Sequence, residues 1–191
     1  MHAIAISASP RKNGNTETLL QRCLDGLASK GVEGQLLSLR DKTIKGCRAC
    51  AVCSRTRDKQ CNTKDDDFQP IFEAMLKADI IVVGSPVYFG SAAPEMMALL
   101  DRAGYVGRAN GNLFSRKLGG PIAVARRAGH NFTYAQLLMW FMINDMVVPG
   151  SSYWNVALAR EPGKVVEDTE AMATIDRFAE NLAWLAERLA V

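Results

Sequence analysis

The sequence predicts an α/β fold in which a doubly wound five-stranded parallel sheet carries helices on both faces. Short apolar segments alternate with longer amphipathic ones, in the order β-α-β-(Cys loop)-α-β-α-β-α-β-α, as a parallel sheet requires. One predicted strand, "DIIVVGSP", is apolar on both faces, which is typical of a strand covered by helices. The 191 residues contain no internal repeat or linker, so one domain is expected over residues 1–191.

The elements follow one another with clear boundaries. The strand "HAIAIS" opens the chain, and the next helix begins near Asn15 or Thr16 and stops at Gly31. "VEGQLLSL" is the second strand, and a helix begins at Asp65–Asp67 after the cysteine segment. The remaining elements are the strand "DIIVVGSP", the helix "APEMMALLDRAG", the strand "GGPIAVARRAG", the helix "NFTYAQLLMWFMIND", a last short strand "MVVPGSS" and the helix "EDTEAMATIDRFAENLAWLAERLA".

Charge and hydropathy argue against two classes of partner. The formal net charge is only +3, and lysine and arginine form no continuous stripe, so no nucleic acid is expected. The opening "MHAIAISASP" lacks the basic region of a signal peptide, and the longest apolar runs are too short to cross a bilayer. We therefore expect a cytoplasmic protein with no membrane partner.

Four of the five cysteines lie in "GCRACAVCSRTRDKQC", which runs from Gly46 to Cys61. This segment belongs to a predicted cysteine-rich insertion loop at 46–64. In a cytoplasmic chain, clustered cysteines are more often metal ligands or redox groups than structural disulfides. A metal site, a redox pair and plain reduced thiols all remain open at this point. The fifth cysteine, Cys23, lies on the apolar face of a helix and is expected in the core.

The loop "SASPRKNGNT" after the first strand has the composition of a phosphate cradle. Backbone N–H groups at the following helix start, with the side chains of Ser9, Asn15 and Thr16, can bind a phosphate, and Arg11 can add a charge-assisted contact. The loop contains neither a Walker A pattern nor G-x-G-x-x-G, which disfavours a dinucleotide site. The alternative is an ordinary turn with a well-capped helix.

Two further loops follow strands that end at the same edge of the predicted sheet. In "GSPVYFGS" (Gly84–Ser91), two aromatic residues lie between Pro86 and Gly90, where they could cover a flat ring or pack under the next helix. In "ARRAGHN" the strand delivers Arg126 and Arg127 to the edge, and a positive charge there would stabilise an anionic reduced flavin. Arg126 can equally be a solvated surface residue, and no role is assigned to His130.

The three loops, in this order, resemble the NADPH-dependent FMN reductase family of flavodoxin-like proteins. The matching stretches are "SPRKNGNT" (Ser9–Thr16), "GSPVYFGS" followed by "LLDRAG" (Leu99–Gly104), and "ARRAGHN" before a helix, so the resemblance extends over nearly the whole chain. It implies a flavodoxin-like fold and a bound FMN. The FMN phosphate would contact Ser9, Arg11, Asn15 and Thr16, and its ring would lie against Pro86, Val87, Tyr88, Phe89, Gly90, Arg127 and Gly129.

One branch of that family, the iron–sulfur flavoproteins, is also similar to this chain at the cysteine segment. Here the motif reads Cys47-x2-Cys50-x2-Cys53-x7-Cys61, and the resemblance implies that these four cysteines ligate a 4Fe–4S cluster. Cysteines at spacing three, with a fourth slightly further on, suit a four-iron cube. Zinc sites usually use two well-separated C-x2-C pairs instead. The remaining interpretation is a lid of reduced thiols over the flavin.

The resemblance thus implies an FMN-dependent oxidoreductase that passes electrons between a cluster, FMN and a small acceptor. With a cluster, a ferredoxin-like donor is expected. Without one, the protein would be a metal-free FMN or quinone reductase with NAD(P)H as co-substrate. No catalytic acid or base is expected, because the flavin carries the chemistry.

Two alternatives of another class are a flavodoxin-type electron carrier and a thiol redox sensor. Such carriers are usually strongly acidic, whereas this chain has a net charge of +3. Members of the family usually form dimers or tetramers in which a neighbouring subunit helps to close the flavin site. A homodimer or homotetramer is therefore expected here, and the apolar stretch "YAQLLMWFMI" would suit its interface.

Overall fold

The computed structural model describes residues 1–189 and contains the expected parallel sheet. Its strands are β1 (His2–Ser7), β2 (Glu33–Ser38), β3 (Ile80–Tyr88), β4 (Ser91–Ala92), β5 (Leu118–Ala125) and β6 (Val156–Leu158). Five of them pair in parallel in the order β2-β1-β3-β5-β6, and β4 folds back antiparallel on the end of β3. This order is the flavodoxin-like one, which confirms the predicted fold class.

Helices cover both faces of the sheet. They are α1 (Asn15–Ala28), α2 (Val52–Thr56), α3 (Phe68–Lys77), α4 (Pro94–Ala109), α5 (His130–Ile143) and α6 (Thr169–Leu189), with a 3-10 turn at Lys164–Glu167. Helices α1 and α6 bury one apolar cluster against the sheet, and α3, α4 and α5 bury a second cluster on the opposite face. Within residues 1–189, no helix combines the length and apolar character that crossing a bilayer demands.

Gly84 in β3 allows α1 to approach the sheet closely. A Cβ atom at this position would lie 2.7 Å from Leu20 and 2.9 Å from the methyl group of Thr16, both on α1. Any larger residue would therefore push the helix away. This glycine thereby lets the N-terminus of α1 lie close to the carboxyl edge of the sheet.

The prediction of a last strand at "MVVPGSS" is wrong. Val147 makes a single isolated bridge to Leu118, and the edge strand β6 lies further along, at Val156–Leu158, where it pairs with Ala123–Ala125. Pro149 has no backbone N–H with which to continue the ladder, so pairing stops soon after Val147. Because β6 lies later in the chain than predicted, the last loop at the carboxyl edge of the sheet comprises residues 159–163.

Candidate functional site

A cavity of about 360 Å³ opens where the connections from β1 and β3 leave in opposite directions. In doubly wound sheets, ligands bind at this point of reversal beyond the carboxyl ends of the strands. A larger hollow of about 730 Å³, near Met1 and Trp184, lies at the opposite edge, beside the start of β1. The cavity beyond the strand ends is lined by Ser9, Arg11, Asn15, Thr16, Pro86, Val87, Tyr88, Val124, Arg126, Ala159, Arg160 and Glu161.

The N-terminus of α1 forms one wall of this cavity. The first backbone hydrogen bond of the helix runs from Thr18 N–H to Gly14 O at 3.0 Å. The preceding N–H groups of Asn15 and Thr16 therefore have no partner within the helix. With the positive end of the helix dipole, they form an anion-binding surface, and Thr16 is only 2% exposed behind it. The cradle predicted from the sequence lies at the cavity.

Three of the predicted phosphate ligands already have protein partners. The Ser9 hydroxyl accepts the Arg11 N–H at 3.2 Å. The Asn15 amide donates to Glu161 O at 2.9 Å, and its Oδ1 accepts the Val165 N–H at 3.2 Å. Arg11 Nη1 donates to Arg160 O at 3.2 Å. The contacts of Asn15 and Arg11 close the cavity on the side of residues 159–165. In this conformation, Asn15 offers its backbone N–H rather than its side chain to a phosphate.

Glu17 is a buried residue of this wall that the sequence interpretation missed. Its carboxylate accepts the Asn13 N–H at 2.7 Å and lies 3.2 Å from the Arg40 guanidinium. The signal was available, because Glu17 lies three residues after the N-cap Gly14, where a glutamate commonly binds an N–H preceding the helix. Glu17 thereby holds the turn that precedes the cradle.

The second predicted loop divides between the cavity and a hairpin turn. Pro86, Val87 and Tyr88 line the cavity. Phe89 and Gly90, with φ of 51° and 78°, are the central residues of the two-residue turn between β3 and β4, as a type I′ hairpin needs. Phe89 is bulky for a left-handed conformation, and its side chain is fully exposed.

The third predicted loop touches the second one. Gly129 has φ of 87°, and a Cβ there would lie 3.1 Å from both Gly90 Cα and the Val87 side chain. Arg126 and Arg127 are both exposed, but only Arg126 lines the cavity. The resemblance implies Arg127 at the ring and leaves Arg126 open, because nothing in "ARRAGHN" tells which arginine lines the cavity.

Charges around the cavity favour an anionic ligand. Three arginines line it, Arg11, Arg126 and Arg160, against one acidic residue, Glu161. Arg160 was not foreseen, since the last strand was misplaced. A second cavity of about 250 Å³ adjoins it and includes Arg40 and Lys42. Tyr88 lies between the two cavities and lines both.

The four clustered cysteines line one pocket against α4. All five cysteines of the chain are free thiols, and Cys47, Cys50, Cys53 and Cys61 share this lining with Arg102, Tyr105 and Val106 of α4. Burial raises the pKa of Cys53, and the neighbouring sulfurs of Cys61 and Cys50 raise it further, although a hydrogen bond with Ser54 acts in the opposite direction. The segment therefore brings its sulfurs together.

Four cysteines around one pocket match, in number and type, the ligands that a four-iron cube takes. In the part of the chain that the structure describes, no three histidine, cysteine or acidic side chains converge closely enough on one point to hold one metal ion. A zinc ion would need its sulfurs at about 2.3 Å from a common centre. In a cube, each of four thiolates binds a different iron, so the sulfurs stay further apart.

Comparison with known proteins places the chain among flavoproteins. It is 32% identical over 190 residues to an iron–sulfur flavoprotein of Methanocaldococcus jannaschii, and the match covers 96% of each chain. It is 31% identical to an iron–sulfur flavoprotein of Methanosarcina thermophila, covering 98% of this chain and 96% of the relative.

Solved structures share the fold at lower identity. A flavodoxin from the domain Archaea matches with a TM-score of 0.64 at 17% identity, covering 98% of this chain and 99% of its own. An NADH:FMN oxidoreductase in its apo form matches with a TM-score of 0.60 at 20% identity, covering 95% and 89%. The family model described as NADPH-dependent FMN reductase matches residues 1–161, and the chain belongs to that family of flavin oxidoreductases.

Proposed function

We propose that this protein binds FMN in the cavity beyond the strand ends, between Ser9–Thr16 and Pro86–Tyr88, which we call the flavin-site cavity. We further propose that it binds a 4Fe–4S cluster at Cys47, Cys50, Cys53 and Cys61. It would pass electrons between the cluster, FMN and a small acceptor. The observation that carries the proposal is that all four cysteines line one pocket. FMN supplies hydride and one-electron chemistry, and the cluster supplies one-electron transfer.

The side chains around the flavin-site cavity suit an FMN. The N–H groups of Asn15 and Thr16 face the phosphate, with Ser9 and Arg11 beside it. Pro86, Val87 and Tyr88 present a mostly apolar wall to the ring, and Arg126 adds positive charge at the rim. The adjoining cavity at Arg40 and Lys42 leaves room beside Tyr88 for a second substrate.

A metal-free NAD(P)H-dependent FMN or quinone reductase is the second candidate. One observation favours it: the family model that matches residues 1–161 is described as NADPH-dependent FMN reductase. In that case the exposed thiols of Cys47 and Cys50 would serve as part of a loop over α4. The flavin site would be unchanged, so iron content is the measurement that separates the two candidates.

The proposed partners are a ferredoxin-like electron donor, a small-molecule acceptor and a second copy of this chain. Exposed apolar residues on the outer face of α5, together with Phe89, support self-association. These residues are Phe132, Met139, Met142 and Ile143. Solvent-exposed apolar patches of this kind mark contacts with other proteins.

The test is an absorption spectrum of anaerobically purified protein, with iron and acid-labile sulfide assayed on the same sample. A flavin spectrum overlaid by broad cluster absorbance, with about four irons per chain, is expected. Cys47→Ser should lose the iron and keep FMN, while Cys23→Ala, a cysteine outside the pocket, should keep both. Iron-free protein with bound FMN would favour the second candidate, and protein that binds no flavin would refute both.

A further inference from the structure

Arg102, on α4, is unusually deeply buried for an arginine. Its side chain is fully inaccessible to solvent, and that of Asp66, with which it forms an ion pair, is 2% exposed. A buried guanidinium must satisfy all five of its N–H groups, because each unpaired donor in the interior is costly. The partners of these five groups show what the residue does.

Every N–H of Arg102 points at the cysteine segment or at the residues that flank it. Nε donates to Cys61 Sγ at 3.4 Å. Nη1 donates to Lys45 O at 3.0 Å and to Asp66, and Nη2 donates to Thr63 O at 3.0 Å and to Asp66 Oδ1 at 3.3 Å. One side chain therefore joins the two ends of the segment and contacts its last sulfur.

Asp66 and Phe68 complete the arrangement. Asp66 Oδ2 accepts the Lys45 N–H at 2.9 Å, so the carboxylate also binds the start of the segment. The Phe68 ring lies 4.0 Å from the guanidinium carbon, in cation–π geometry. Burial alone would raise the pKa of Asp66, but hydrogen bonds from Arg102 and Lys45 hold it below the ordinary value.

We propose that Arg102 is a positioning residue for the fourth cluster ligand: it holds the cysteine segment on α4 and directs its one cationic hydrogen bond to sulfur at Cys61. The inference rests on the proposed cluster. Hydrogen bonds to the sulfurs and nearby charge are known determinants of cluster potential. Reduction adds one electron, hence one negative charge, to the cluster and its thiolates. Arg102 stabilises that added charge, and Asp66 opposes it.

The two members of the ion pair therefore give opposite predictions. In a mediated redox titration of the anaerobic holoprotein, Arg102→Gln should shift the cluster midpoint potential downward, because the cationic donor is lost. Asp66→Asn should shift it upward, because the guanidinium is left uncompensated. A purely structural role would disturb the same hydrogen-bond set in both variants and move both potentials in the same direction. Shifts of equal sign, or no shift in either, would overturn the proposal.

Two further tests cover single variants that do not fold or do not retain iron. The double variant Arg102→Gln/Asp66→Asn removes both charges with little change in shape, and its potential should lie below that of the unmodified protein; an unchanged value counts against the proposal. Limited trypsin digestion serves the variants that do not retain iron, because it needs no cluster. Cleavage at exposed Arg48, Arg55, Arg57 and Lys59 should become severalfold faster in Arg102→Gln than in the unmodified protein.

The failure of the proposed function would look different. If the unmodified protein holds FMN but no iron, the cluster proposal falls, whereas the holding of the segment by Arg102 is decided by trypsin alone. Faster cleavage confined to residues 48–59 would support the positioning role. Equal cleavage rates in Arg102→Gln and in the unmodified protein would refute it.

Discussion

At the residue scale, Cys23 shows how burial separates one thiol from the other four. It lies on α1 and is fully buried between the helix and the sheet. Burial, with a smaller contribution from the Asp176 carboxylate, raises the pKa of its thiol from 9.0 to about 12. Cys23 is therefore a small apolar core residue, as the sequence predicted, and its thiol is inert at ordinary pH.

This burial predicts a pH-dependent contribution to stability. Above pH 9 the unfolded chain loses the Cys23 proton while the native chain keeps it, so the native state is progressively disfavoured. The free energy of unfolding should fall by about 1.4 kcal/mol per pH unit from this group, between pH 9 and pH 12. Urea denaturation of the unmodified protein and of Cys23→Ala from pH 7.5 to 10.5 measures it. The stability advantage of the unmodified protein should shrink with pH; parallel curves would contradict the assignment.

Single residues of the site were predictable where a local pattern carried them. Ser9 and Thr16 follow from a small, hydroxyl-rich loop before a helix, and both line the cavity. The contacts of Asn15 and Arg102 were not predictable, because their partners lie far away in the sequence or depend on how the cysteine segment folds. Arg126 and Arg127 are adjacent, and only the backbone path after β5 decides which one faces the cavity.

At the element scale, the N-terminus of α1 is the part of the fold that makes an anion site. Glu17 holds the turn before it, and Gly84 lets the helix lie close to β3. Two threonines on its first turns point in different directions. Thr16 lines the cavity, whereas Thr18 lies outside the lining and donates its hydroxyl to Gly14 O at 3.2 Å.

These threonines provide a matched pair for testing the phosphate cradle. Thr16→Val keeps the methyl group against Gly84 and removes the hydroxyl, so FMN should bind roughly tenfold more weakly if one charge-assisted hydrogen bond is lost. Thr18→Val removes a hydroxyl from the same helix and should leave the affinity unchanged. Titration of the apoprotein with FMN, followed by flavin fluorescence, measures both. Equal affinities of the two variants would remove Thr16 from the phosphate site.

Elements with a strong hydrophobic period were predicted well, and short ones were not. The five long helices and the buried strands agree with the sequence pattern to within a few residues, because burial on a sheet imposes that pattern. The edge strand β6 has three residues, too few to show a period, and the apolar pair Val147–Val148 gave the stronger but misleading signal. The short helix α2 and strand β4 depend on tertiary contacts and were not predicted.

At the scale of the whole molecule, α5 is apolar on more than its buried side. Its inner residues, such as Leu137 and Phe141, pack on the sheet, while Phe132, Met139 and Ile143 are more than 60% exposed on the opposite side. The fully exposed Phe89 belongs to the hairpin that touches the start of α5. A helix that is apolar all round is normally covered on both sides, and a second copy of the chain is the cover expected here.

Charge on this face should therefore separate the subunits. We expect the unmodified protein to be a dimer or tetramer by light scattering, and Met139→Glu/Ile143→Glu to have the mass of one chain, because four carboxylates cannot be buried across a twofold contact. Val166→Glu/Trp184→Glu introduces the same charges at sites of similar exposure on other elements and should leave the assembly intact. A single-chain mass for the unmodified protein would contradict self-association. Dissociation of both double variants would show that added charge, rather than the α5 face, is responsible.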